Sequence, residues 1–386
     1  MALFKILNVL YNGSTRTTNR LCPVACMGDE PRVCVEVRFM RVSDATSRPI
    51  AFGGSYPWLR SKRWDLTYIS LSAVLVAIPI LLHYQLGVST SVINVAVALA
   101  VGGPHMYSTF SVTFLEQSFL RQHPYYAASA LLIPILVVYG ALVNLTLLLT
   151  VFMFWASIHV LHQITYLVDC YRRKGKEPET LWSRGIDYAA VLTSLYPFAT
   201  YKLITGQFVL ENRVLMMPEI FRSDLIIHAA WAAFLVAQLL FVTKTASEFV
   251  RGTANIPKII LMSITIVLAF IVPTFDNLDV AFQGLNTWHS VQYLGMMYYL
   301  NELRKARGEI SSRLVQKLID GGRPPRFYLF NVGITFAAAM TVVVMVLLFG
   351  FGFLVQSYYI VILSCLLIHY YFDHFLFMRT TAEVAP

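Results

Sequence analysis

Six of the nine histidines in this chain, His105, His159, His162, His289, His369 and His374, fall inside long apolar stretches. A side chain that ionises or coordinates is costly in hydrocarbon, so one placed there points by default to a functional site. Neutral imidazole is the commonest protein metal ligand, and the core of a helical bundle is where facing helices bring several together. The neighbours fit this chemistry. In His105-Met-Tyr-Ser-Thr109, His159-Val-Leu-His162-Gln163 and His369-Tyr-Tyr-Phe-Asp373 a polar group follows at i+4, on the same helical face. His289 is followed by Gln292 and Tyr293 at i+3 and i+4. Gln163, Gln292 and Tyr293 are therefore candidates to support the ligands.

The i, i+3 pair His159 and His162 suits one metal held from a single helix, or two adjacent metals. Asp373, beside His374, is read as a ligand or as the group that orients one. Asp169 follows His162 by seven residues and Glu116 follows His105 by eleven. Each lies within about 20° of its histidine on a helical wheel. Each is a carboxylate ligand or acceptor by one reading, and an ordinary charge at the end of a span by another. Imidazoles with a few carboxylates and no clustered thiolates suit iron, mononuclear or di-iron, with zinc, copper and manganese left open. Open positions on such an iron would bind dioxygen. Aromatic residues make up 14% of the chain; Tyr107, Tyr166, Tyr293, Tyr298, Tyr370, Tyr371 and Trp288 either line a tunnel to the site or serve as packing and interfacial belts.

Such residues need elements to hold them, and the composition names the kind. The 386 residues are 57% hydrophobic and 13% charged, with a mean hydropathy of +0.62. A water-soluble fold cannot cover that much apolar surface. Runs of about 20 apolar residues, the length needed to cross a bilayer, imply an all-α polytopic transmembrane bundle of about ten spans. They are placed near 67–86, 90–115, 125–141, 145–170, 187–206, 224–243, 257–273, 279–302, 328–354 and 357–378. Short joints around Asn144 and near 355 make the third and fourth spans, and the last two, antiparallel hairpins. Residues 56–380 form one transmembrane domain, followed by a short tail, 381–386. Residues 1–55, polar and rich in Arg, Ser, Thr and Cys, read as a disordered tail or a start assigned too early.

Lys and Arg in short loops favour the cytoplasmic side. With both termini inside, Arg60, Lys62 and Arg63, then Arg121, then Arg172 to Arg184, then Lys244, Arg251 and Lys258, the basic loop Arg304 to Arg326, and Arg379 all fall inside. The loops left outside hold Asp276 and Asp279, or the mixed set Glu211, Arg213, Glu219 and Arg222. The expected setting is a bacterial inner membrane. The same assignment explains the net charge of +9 without a nucleic-acid partner. The six histidines then lie on even-numbered spans, roughly 6 to 20 Å before the inner end. Within the basic loop, Ile310 to Ile319 suits a short amphipathic helix ended by Gly321-Gly322 and Pro324-Pro325, or a solvated loop. The five cysteines form no disulfide framework: Cys170 and Cys365 sit in apolar helices, and Cys22, Cys26 and Cys34 lack a fourth ligand for zinc.

A polytopic chain with histidines at the cytosolic ends of its helices resembles the integral-membrane, histidine-ligated non-haem iron enzymes: lipid desaturases, hydroxylases, alkane monooxygenases and Brp/Blh-type carotene dioxygenases. Gly103-Pro104-His105 is similar to the Gly-x-Pro-His opening of the Brp/Blh group, with His159, His289 and His369 standing for its later histidines. The desaturase boxes are absent, His159-x2-His162 alone coming near them. The resemblance implies iron and dioxygen acting on a lipophilic substrate drawn from the bilayer, with hydroxylation, desaturation or cleavage as the outcome. No flavin, nicotinamide or iron–sulfur motif is visible, so the chemistry takes an external electron donor or a four-electron oxidation of substrate. Two other classes fit a histidine-lined bundle: a transporter or proton-coupled carrier, and a bis-His b-type haem protein.

Overall fold

The computed structural model describes residues 57–175, 179–210 and 212–379, and within these nearly all regular structure is helical. The readings that fall on the N-terminal tail with Cys22, Cys26 and Cys34, on Lys176, on Glu211 and on the C-terminal tail lie outside the described residues. The chain runs through α1 (Lys62–Tyr84), the segmented helix α2 (90–111), the short α3 (Gln117–Gln122), α4 (Pro124–Val143) and α5 (Leu145–Arg173). After α6 (Leu181–Thr193) and α7 (Tyr196–Ile204) comes a two-stranded hairpin, Val209–Leu210 with Arg213–Val214. There follow α8 (Asp224–Arg251), α9 (Ile256–Thr274), α10 (Leu278–Ala306), the short α11 (Arg313–Ile319), α12 (Pro324–Phe349) and α13 (Leu354–Arg379).

Seven of these, α1, α4, α5, α8, α9, α12 and α13, are long and apolar enough to cross a membrane. Their outward faces carry exposed Ile135, Leu136, Leu239, Leu347 and Leu348, as helices solvated by lipid do. Three of the ten expected segments fall short of that standard, each for a visible reason. The α6–α7 segment is interrupted at Ser194 and Leu195, and α2 changes helical winding at Ala98–Gly102 and again at Thr109–Ser111. α10 has the length, but it buries a set of polar side chains, Thr287, His289, Ser290, Gln292 and Asn301, among its apolar ones. Its environment is other helices.

The α4–α5 joint is the single residue Asn144, whose side chain caps α5 by accepting from Leu147 N at 3.0 Å. Gly350 at φ +88° turns the chain between α12 and α13, a left-handed conformation that glycine adopts without strain. α11 lies within the expected amphipathic stretch and buries Val315 and Ile319. Gly321 and Gly322, both at positive φ, end it. Cys170 and Cys365 are free.

α2, α5, α10 and α13 run in the same direction. Asn277 and Thr90, at the starts of α10 and α2, are hydrogen-bonded at 2.9 Å, and Asn301 and Ser111, near their ends, at 2.8 Å. α2 packs against α12 so closely at Gly103 that a Cβ there would stand 2.3 Å from Thr335 Cγ2. Glycine at this position lets the next turn, which carries His105, sit deep in the bundle.

Candidate metal centre

Each of the four parallel helices contributes one histidine to a closed ring: His105 from α2, His289 from α10, His159 from α5 and His369 from α13. Neighbouring imidazoles in the order His105, His289, His159, His369 have centroids 5.1, 5.1, 4.9 and 4.8 Å apart, with planes crossed at 81°, 78°, 66° and 84°. All four are buried. One nitrogen from each of His105, His289 and His369 lies within 4.8 Å of the others, as do donor atoms of His159, His369 and Asp373.

Hydrogen bonds around the ring determine which nitrogen His105 and His369 turn inward. The Ser290 hydroxyl donates to Asn286 Oδ1 at 3.3 Å and lies 2.9 Å from His105 Nδ1. With its proton committed, it accepts from Nδ1–H and leaves Nε2 of His105 bare. His369 is held the same way. The Thr109 hydroxyl donates to Asp373 Oδ1 at 3.2 Å and accepts from His369 Nδ1 at 2.6 Å. The Tyr293 hydroxyl donates to the same carboxylate oxygen at 2.5 Å. Asp373 Oδ2 remains, 3.8 Å from His159 Nε2.

Buried and without a hydrogen-bond partner among the described residues are Nε2 of His105, His159 and His369, both nitrogens of His289, and Asp373 Oδ2. An unmade hydrogen bond at a buried polar atom costs about 1–3 kcal/mol. Each neutral imidazole offers one lone pair, and a cation held among His105, His289 and His369, or among His159, His369 and Asp373, would satisfy several of these atoms together. The donor set is all imidazole with one adjacent carboxylate, which matches a borderline divalent ion such as iron, zinc or copper.

Gln163 and Gln292 tie α5 and α10 together beside the ring. Gln163 Nε2 donates to Gln292 Oε1 at 3.2 Å and to the carbonyl of His289 at 3.3 Å. Gln292 Nε2 in turn donates to Ile69 O at 2.5 Å. Of the residues named from sequence, the structure thus gathers His105, His159, His289, His369, Asp373, Gln163, Gln292 and Tyr293.

It does not gather four others. His162 and His374 form a pair of their own, with centroids 5.4 Å apart. His162 is three residues past His159, about 60° around the helix, and His374 is five past His369, about 140° around. Asp169 is engaged by Arg172, Arg184 and Tyr188, so its carboxylate is taken up by those three partners. Glu116 accepts from the Ser311 amide and hydroxyl at 3.0 and 2.8 Å and secures the loop before α11. Ser290 and Asn286 were missed, since the Ser290–His105 contact spans 185 residues of sequence and no local pattern announces it. Their signal was the polar spacing of α10 itself.

Two of the ring histidines, His105 and His289, line a cavity of about 370 Å³. Tyr370, Leu99, Phe282 and Leu363 are among the other residues that line it. No family model, curated protein or solved structure matches the chain.

Proposed function

We propose that this chain is an integral-membrane, metal-dependent oxidoreductase that uses dioxygen to hydroxylate, desaturate or cleave a lipophilic substrate. The observation that supports this most is the cluster of buried imidazole nitrogens without hydrogen-bond partners, two of whose histidines, His105 and His289, line an apolar cavity. His105, His159, His289 and His369 are the proposed ligands, with Asp373 beside them, and iron is the proposed ion. Iron bound there supplies redox chemistry with dioxygen. A ring this compact favours one ion over two. It also favours an ion over haem, because a macrocycle needs two imidazoles facing one another across its plane, whereas these neighbours meet edge to face about 5 Å apart.

The protein's own part is orientation and exclusion of water. Thr109 and Ser290 hold the tautomers of His369 and His105. Tyr293 holds Asp373 through its phenolic proton. The apolar cavity wall keeps bulk water from the reacting centre and aligns the substrate against it. Cleavage of a carbon–carbon double bond, with both oxygen atoms entering products, balances without a reductant. Hydroxylation or desaturation draws two electrons from an external donor.

We place the ring in the half of the bundle nearer the cytoplasm and count α2, α6–α7 and α10 as spans besides the seven apolar helices, giving ten. This is the arrangement in which every basic loop lies inside. The test is metal analysis of the purified protein together with oxygen uptake in bilayers containing candidate lipids. Stoichiometric iron and lipid-dependent uptake support the reading. A fully active, metal-free preparation would overturn it.

A further inference from the structure

The four ring histidines are buried, so an ion that reaches them must shed its water on the way in. His162 and His374, which the ring leaves out, stand beside that way. They follow His159 on α5 and His369 on α13 by three and five residues, which sets them about 4.5 and 7.5 Å nearer the C-terminal ends of those helices. His162 is half-buried and His374 is exposed. Their imidazoles face each other across the two helices, with centroids 5.4 Å apart and planes tilted by 47°. Phe377 packs on both levels, its centroid 5.2 Å from His162 and 6.4 Å from His159. Two imidazoles bound to one ion through nitrogens about 2.0–2.1 Å away have centroids about 4.5–5.5 Å apart when the ligand angle is about 90–120°. The pair stands at that separation. Asp169 is within electrostatic reach of His162, but Arg172, Arg184 and Tyr188 hold its oxygens. The ligands on offer are therefore the two imidazoles, with water at the open positions.

We propose that His162 and His374 form a second, exchangeable metal site, which holds a divalent ion half-dehydrated before it passes to the ring. Imidazoles without thiolates suit ferrous iron, nickel, copper and zinc, with affinity rising from iron to copper and falling again at zinc. Two protein ligands hold an ion less firmly than four, so this ion leaves during purification while the ring keeps its own. Losing the hydration shell in steps spares the ion the full desolvation cost at once, and a buried metal site requires an entry path of this kind. The transfer rests on the proposed metal ring, whereas binding at the pair is independent of it.

The experiment uses the full-length protein in nanodiscs and has two readouts. The first is titration with Cu²⁺, the tightest-binding of these ions, followed by electron paramagnetic resonance. A copper signal with nitrogen hyperfine structure from two imidazoles should appear in the parent, persist in His289→Ala, and vanish in His162→Ala and in His374→Ala. These two variants lie on different helices, so either one reads the site should the other fail to fold. The second readout is anaerobic loading of the apo-protein with ferrous iron. His162→Ala and His374→Ala should reach the parent's final iron content but load it at least about fivefold more slowly. A copper signal that survives both substitutions, or is absent from the parent, would overturn the site. Loading rates equal to the parent's would overturn its role in transfer. A copper signal at the pair in a protein whose ring takes up no iron upholds the site and removes the proposed function, while an iron-loaded ring with no signal at the pair does the reverse.

Discussion

The hydroxyl of Thr109 stands 2.6 Å from Nδ1 of His369, across 260 residues of sequence, and it is this contact that turns Nε2 of His369 toward the other three imidazoles. Thr109→Val keeps the shape of the side chain and removes the acceptor. It should lower iron affinity by about 10- to 100-fold, the usual cost of losing a partner behind a metal-bound histidine. Thr109→Ser should restore most of it. Titration of the apo-protein with ferrous iron under anaerobic conditions reads the difference.

His162 and His374 test the boundary of the site. Both share the helices of true ring members but face elsewhere, so His162→Ala and His374→Ala should keep full metal content. His105→Ala and His159→Ala should each lose nearly all of it. Loss of metal in His162→Ala would mean that the ring is drawn around the wrong residues.

Asp169→Asn and Glu116→Gln separate structure from chemistry. Asp169 holds Arg184 at 2.6 Å, and Glu116 holds the segment before α11 through Ser311. Each substitution should cost about 1–3 kcal/mol of stability with metal content unchanged, as thermal unfolding and elemental analysis of one sample would show.

A buried charge cluster gives a pH-dependent prediction. Lys258, fully buried, pairs with Glu179 and with Asp187 at 3.0 Å, and Lys244 reaches Asp187 at 2.5 Å. Burial alone would raise the Glu179 carboxyl, but the Lys258 ammonium beside it outweighs that and holds it below its ordinary value of 4.5. A depressed carboxylate stabilises the fold fully above its ordinary value, and that contribution drains away as pH falls through the lower folded value. Glu179→Gln should therefore be less stable than the parent at neutral pH, and the gap should narrow below about pH 4.5. Lys258→Met, which strands Glu179 and leaves Asp187 to Lys244 alone, should cost about 3–5 kcal/mol. Thermal melts across that pH range would show both effects.

Much of this was legible in the sequence. The apolar runs announced the seven helices apolar enough to cross a membrane, because a lipid-facing helix must be apolar along its length. The histidines in those runs named all four ring members. Depth was readable from residue counts, but azimuth was not: two histidines on one helix at i+3 or i+5 look alike in sequence and face different neighbours. Asp169 and Glu116 passed the helical-wheel criterion and were claimed by Arg184 and Ser311, partners that only the fold supplies. α10 shows the opposite case. Its polar face lowers its hydropathy for the same reason that it lies at the centre of the site.

The central claim is that four imidazoles hold one ion, and metal content per chain in the protein as purified, beside His289→Ala, tests it most directly. Close to one iron per chain in the parent, falling to near zero in His289→Ala while the helical circular dichroism stays unchanged, is the predicted result. Full metal retained by His289→Ala, or a folded parent that binds no divalent ion, would contradict it.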